Sequence, residues 1–168
     1  MNTASSPTPP ASPASQAPTP AYVLLADKQR VAPKLRVDEA RAAIKVIYGF
    51  SDKPTYDLFS ENSPTPCCPY PLVKGYLRTE LNALPETLLL IAIDPPAPAG
   101  ADLDAATYQS VLKAQETRSD TVAIDYRLKW DPDCQAYRVE KDTLDSDTNA
   151  LAAAPLDAAP TSRPTTPE

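Results

Sequence analysis

The sequence contains no histidine. That absence removes every Ser-His-Asp and Cys-His nucleophile arrangement, and every metal site built on imidazole. Glycine is nearly as scarce: Gly49, Gly75 and Gly100 are the three in the chain, each isolated. No GxGxxG turn and no P-loop can be written from them, so the usual glycine-rich nucleotide cradles are excluded. The apolar run Leu88–Ile93 is far too short to span a bilayer, which predicts no membrane insertion. Met1–Pro20 has no basic start and no apolar stretch, so a secretory leader is not expected, and its lack of arginine argues against an organelle transit segment. A soluble, cytoplasmic protein is the expectation. The net charge of -6 disfavours nucleic acid, whose phosphates call for an excess of lysine and arginine.

Proline is abundant, with 21 residues in a chain of 168, and it concentrates outside the periodic segments. Residues 1–20 are rich in Pro, Ser, Thr and Ala. They are uncharged and almost without apolar bulk, so they predict a disordered arm. Residues 142–168 are acidic, Ala-rich and Pro-rich, and predict a second disordered tail. Between them, residues 21–141 predict one domain.

The clearest local pattern lies near its end. From Thr121 to Trp130, Val122, Ile124, Tyr126, Leu128 and Trp130 alternate with Ala123, Asp125, Arg127 and Lys129. Asp131-Pro132-Asp133 breaks the run, and Ala136–Lys141 alternates again. Two period-2 runs around a polar turn predict a β-hairpin.

Upstream, Ala21–Ala26 reads as a strand, and Val31–Val37 as a second strand or its continuation, with Pro33 at an edge. Asp38–Tyr48 reads as a helix: Asp38 caps it, Ala40, Ile44 and Ile47 line one face, and Gly49 stops it. Residues 50–71 form an irregular Pro/aromatic connection. Within it, Ser51 or Asp52 caps a short helix through Phe59. Leu72–Leu81 suits either element, and Gly75 tips it towards strand. Thr87–Asp94 predicts a strand buried on both faces. Asp102 or Asp104 caps a helix reaching about Glu116.

The expected class is α+β: a mainly antiparallel sheet of four or five strands with two main helices on one face. The order suggests a ferredoxin-like arrangement plus an added C-terminal edge strand. An exposed edge strand also allows a homodimer.

Three groups of residues are candidates for function. Tyr48, Phe50, Tyr56, Phe59, Tyr70 and Tyr76 crowd one proline-rich stretch, where aromatics present large area at low entropic cost to a protein partner. Cys67 and Cys68 are adjacent thiols that suit a redox pair. With Cys134 and a carboxylate they would approach a metal set, but the spacing is not that of a zinc knuckle, and no metal or other cofactor is expected. Lys28, Arg30, Lys34, Arg36, Arg41 and Lys45 make a basic stretch suited to an acidic partner, or to a solvated strand edge and helix face. The paired carboxylates Asp102/Asp104 and Asp131/Asp133 are assigned to a helix cap and a turn.

The leading functional expectation is a small non-catalytic intracellular module that binds another protein, as an adaptor, assembly factor or regulator. The first alternative is a thiol-based redox sensor or enzyme using Cys67 and Cys68. The second is a small-molecule-binding regulatory domain.

Overall fold

The computed structural model describes residues 15–36, 43–96 and 100–142. Most of the two predicted tails, together with Arg41 and the start of the predicted helix Asp38–Tyr48, lies outside these residues. The elements run β1 (Gln16–Pro18), β2 (Tyr22–Ala26), β3 (Gln29–Arg30), β4 (Ile44–Gly49), α1 (Lys53–Glu61), β5 (Cys68–Pro71), α2 (Lys74–Ala83), β6 (Leu88–Ile93), β7 (Leu103–Thr107), α3 (Tyr108–Thr117), β8 (Thr121–Ala123), β9 (Tyr126–Asp131) and β10 (Ala136–Lys141). The class is α+β, with three helices and both mixed and antiparallel sheets.

A five-stranded sheet in the order β10-β9-β7-β6-β4 carries the fold. Its β4–β6 pair is parallel, and the other pairs are antiparallel. The ferredoxin-like expectation does not describe it: a split β-α-β unit separates its parallel strands, whereas β4 and β6 are direct neighbours.

The sheet curls, and residues 31–36 bridge its two edges. Val31 C=O accepts from Tyr48 N at 3.0 Å, on β4. Five residues later, Arg36 N donates to Tyr137 O at 2.8 Å, and Tyr137 N donates to Lys34 O at 2.8 Å, on β10. The segment is therefore a strap rather than the strand expected there, and it covers the β10 edge at Tyr137.

A second sheet, β3-β2-β5, is antiparallel and meets β4 through the Tyr22–Phe50 bridge. β1 and β8 make a two-stranded ribbon. Pairing of Gln16–Pro18 and burial of Pro20 correct the expectation of an unstructured arm up to residue 20.

The curled sheet has a hydrophobic cluster on each side. Val46, Tyr48, Leu90, Ala92, Leu103, Ala105, Leu128, Tyr137 and Val139 fill the inside, joined by Phe50 and by Tyr56 of α1. Ile47, Leu89, Ile91, Ile93 and Ala106 face outwards and are covered by Leu77 of α2 and by Tyr108, Val111 and Ala114 of α3.

This double burial explains the largest correction. The run Ile44–Gly49 is a strand, not the end of a helix, because Val46 and Tyr48 enter one core while Ile47 enters the other. Apolar residues on both faces erase the alternation that identifies a strand. The β-branched Ile44, Val46 and Ile47 then favour the extended form.

Leu72–Leu81 is corrected in the other direction, to the helix α2. Gly75 sits in its first turn with open space around it, where it costs less than in a helix interior, and Thr79 Oγ1 bonds back to Gly75 O at 2.9 Å. The helix expected from Asp102 begins only at Tyr108. Leu103–Thr107 is strand β7, and Thr107 is the cap, its Oγ1 accepting from Ser110 N at 3.0 Å. Asp102 and Asp104 instead pair across to β9, with Lys129 at 2.7 Å and Arg127 at 3.2 Å.

Other expectations match the structure. Asp52 caps α1, β6 is buried, and β9 and β10 form the hairpin with Asp131 Oδ1 accepting from Asp133 N at 3.1 Å. The long alternating run before the hairpin is two strands, however. β8 leaves the curled sheet at Ile124–Asp125 to pair with β1.

Candidate functional site

A concavity lies beyond the carboxyl end of β4. There residues 18–21, Ser51–Asp52, the β5–α2 junction at Leu72–Lys74, and the end of α3 with Arg118–Asp120 enclose an open cleft of about 920 Å³. Backbone hydrogen bonds tie its walls together. Thr19 N donates to Asp120 O at 2.9 Å, Ala21 N to Phe50 O at 2.9 Å, and Leu72 N to Ala21 O at 2.8 Å.

Gln115 links the walls from α3. Its Nε2 donates to Leu72 O at 3.0 Å and to Pro20 O at 3.5 Å, while its Oε1 is buried with no donor. α3 ends at Arg118, whose left-handed backbone (φ 56°) lets its N–H close on Ala114 O. Asp52 is committed to its cap: Oδ1 accepts from Thr55 N at 2.9 Å and from Thr55 Oγ1 at 2.6 Å, which hold the carboxyl below its ordinary range. α2 begins with Val73 in the N-cap position, with no side-chain cap. Val73 and Tyr70 are each 49% exposed on either side of the buried Leu72.

Compared with protein-family models, curated proteins and solved structures, the chain shows no match.

Of the six aromatic candidates, only Tyr70 is presented to solvent. Tyr48, Phe50 and Tyr56 are buried in the inner core, with Phe59 packed against them. Phe59 stands 5.2 Å from the Tyr48 ring and 5.3 Å from the Phe50 ring. Burial raises the Tyr48 hydroxyl's pKa above its usual value, and the neighbouring Tyr137 adds to the effect. Tyr76 is half-buried. The Arg30 guanidinium lies 3.4 Å from its ring centroid, and its hydroxyl is 3.1 Å from that of the buried Tyr108. Tyr108 is likewise pushed up, first by burial and then by that hydrogen bond.

The basic stretch does not act as one patch. Arg30 stacks on Tyr76, Arg36 pairs with Asp131 at 3.0 Å, and Lys45 pairs with Glu80 of α2. Lys28 occupies a left-handed turn between β2 and β3, Lys34 is exposed on the strap, and Arg41 lies outside the described residues. Lys74, Arg118 and Gln115 have no signature in the sequence, because the cleft draws them from segments spread over about a hundred residues.

The cysteines are free. Cys67 packs against the inner core and donates to Thr65 O at 3.2 Å, while Cys68 is exposed in β5 opposite Leu25. The exposed Cys134 hydrogen-bonds Asp131, which raises the thiol's pKa and lowers the carboxyl's. Among the described residues no three His, Cys, Asp or Glu side chains group as a metal set, and no helix is long and apolar enough to cross a membrane.

Adjacent side chains on an extended chain point to opposite faces. Cys67 precedes β5 and Cys68 opens it opposite Leu25, so a Cys67–Cys68 disulfide would require the chain to rearrange at the start of β5. Under native conditions Cys68 is expected to alkylate rapidly, the exposed Cys134 more slowly because its raised pKa lowers the thiolate fraction, and the packed Cys67 slowly. After mild oxidation, mass spectrometry of the peptide spanning Cys67 and Cys68 should show both thiols unlinked. Loss of two hydrogens confined to that peptide would instead favour the redox reading.

Proposed function

We propose that the chain is a small, non-catalytic protein-binding module whose contact surface is the cleft and the β5–α2 junction beside it. One observation carries the reading: Tyr70 and Val73 stand half exposed next to a concave surface, while Leu72 between them anchors the junction in the core. Large apolar side chains on a rigid frame beside a recess are what interface hot spots require. The walls are already tied by backbone hydrogen bonds, so little ordering is left to be lost on binding.

Catalysis has less support. A carboxylate held in its charged form by a capping role, as Asp52 is, makes a poor proton donor or acceptor near neutral pH. A cytoplasmic setting goes with the reading, since three free thiols suit a reducing compartment.

The test is a Tyr70→Ser/Val73→Ser double variant. Both sites are exposed, so its unfolding free energy should stay within about 1 kcal/mol of the parent. A protein captured from host extract by the parent chain, then purified and titrated, should bind the variant at least about 30-fold more weakly. Equal affinity for parent and variant would overturn the proposal, as would failure of the parent to retain any protein.

A further inference from the structure

We infer, resting on the protein-binding reading, that the outer edge of β5 is received by a partner groove lined with tryptophan or tyrosine rings. Their N–H or O–H groups donate to the edge, and another β-strand does not pair with it. The register of β5 carries this.

β5 has β2 on one side and no described strand on the other. Leu72 N donates to Ala21 O at 2.8 Å, and Tyr70 and Cys68 follow at two-residue steps opposite Val23 and Leu25. These residues turn their peptide groups towards β2, as alternate residues of an antiparallel pair do. On β2 the same alternation sends Tyr22 and Leu24 away from β5: Tyr22 O accepts from Phe50 N, and Leu24 O from Val31 N. Their opposite numbers Pro71 and Pro69 therefore turn their backbone outwards, to the open edge.

Proline has no N–H, so at both positions the edge offers a carbonyl oxygen and no donor. A strand laid along it would find its own carbonyls opposite proline rings, without partners. A second copy's β5 would set acceptor against acceptor. The edge carries only the negative ends of its peptide dipoles, and its complement is a set of donors.

The side chains narrow those donors to groups on aromatic rings. Pro64, Pro66, Pro69 and Pro71 are all exposed, and Tyr70 stands 49% exposed among them. Proline rings pack on flat aromatic faces, and an indole N–H or phenol O–H beside such a face reaches the neighbouring carbonyl. Pairing with β2 holds the strip extended before a partner arrives, so little order is lost on docking. The chain's own residues 1–14 and 143–168 contain no Phe, Trp or Tyr, so they do not supply the groove.

The probes are indole, N-methylindole and a hexapeptide of alternating threonine and valine, each titrated into the full chain and followed by NMR. Indole should shift the carbonyl carbons of Pro69 and Pro71 and the ring of Tyr70. N-methylindole keeps the ring face but has no donor, and should bind at least about threefold more weakly. The hexapeptide, a ready strand, should leave the Cys68 and Tyr70 amides unmoved. A Pro69→Ala/Pro71→Ala variant loses both proline rings at exposed positions. It should stay folded and bind indole at least about threefold more weakly. If that variant unfolds, the comparison of indole with N-methylindole on the parent decides alone.

Equal binding of indole and N-methylindole would overturn the inference. So would shifts confined to other surfaces, no binding of indole, full indole affinity in the folded variant, or tighter binding of the hexapeptide along β5. Each of these leaves the broader protein-binding reading standing, because that is judged by the captured protein and the Tyr70→Ser/Val73→Ser variant.

Discussion

A Phe50→Ala variant is expected to lose about 3–5 kcal/mol of unfolding free energy, much of what a domain of this size commonly has. Phe50 is among the largest fully buried side chains of the chain, and its ring meets Phe59 of α1. Its backbone also joins the two larger sheets: Phe50 N donates to Tyr22 O, and Phe50 O accepts from Ala21 N and Tyr22 N. Truncation would empty the inner core at the point where α1, β2 and β4 converge, and these neighbours cannot collapse into the space without breaking those bonds. Denaturant unfolding followed by the fluorescence of Trp130, whose ring lies 4.9 Å from that of Tyr137 in the same core, reads the loss. Tyr70→Ala, on the exposed edge strand, should move the midpoint very little. If Phe50→Ala costs under about 1 kcal/mol, the inner core is not packed as described.

The contrast between Phe50 and Tyr70 shows where sequence reading stops. Both belong to one irregular, proline-rich stretch, and nothing local separates a side chain that closes a curled sheet from one left outside. Readable elements were those with one dominant signal. Ala21–Ala26 and Leu88–Ile93 are apolar runs of strand length, Asp52 is a capping residue before a short helix, and Asp131-Pro132-Asp133 is a turn between alternating runs.

The misread segments are those in which tertiary structure uses both faces or places a residue at an element's end. Ile44–Gly49 faces two cores, so its pattern fits a helix as well as a strand. Gly75 weakens a helix interior but stands in a first turn. Asp102 and Asp104 resemble caps because short acidic residues suit both caps and cross-strand ion pairs, and the register that puts Asp104 opposite Arg127 is invisible before the sheet exists. The cleft was the least legible of all. Its residues share no spacing and become neighbours only because the carboxyl end of β4 points at the start of α2 and the end of α3.

Gly49→Ala is expected to cost about 1–3 kcal/mol and to move one wall of the cleft. The requirement for glycine here is one of space, since Gly100 is the glycine with positive φ. A Cβ on Gly49 would collide with Ile91 Cγ2 and stand 3.0 Å from Pro20 Cβ. Ile91 is fully buried and β-branched, so its methyl has little freedom to turn away. Pro20 has a way out, towards the cleft it lines, but moving there strains the Thr19–Asp120 and Ala21–Phe50 hydrogen bonds and the contact of Gln115 with Pro20 O. The variant should therefore shift the amides of Thr19 and Ala21 and the side-chain amide of Gln115, in addition to its lower unfolding midpoint. A double-mutant cycle with Ile91→Ala isolates the clash. Ile91→Ala alone should cost about 2–5 kcal/mol, and the pair should cost less than the sum, because the second change removes the methyl that the first one strikes. Strict additivity, with the amides of residues 18–21 unmoved, would mean that Pro20 does not rest on β4 and that the cleft's wall is held in some other way.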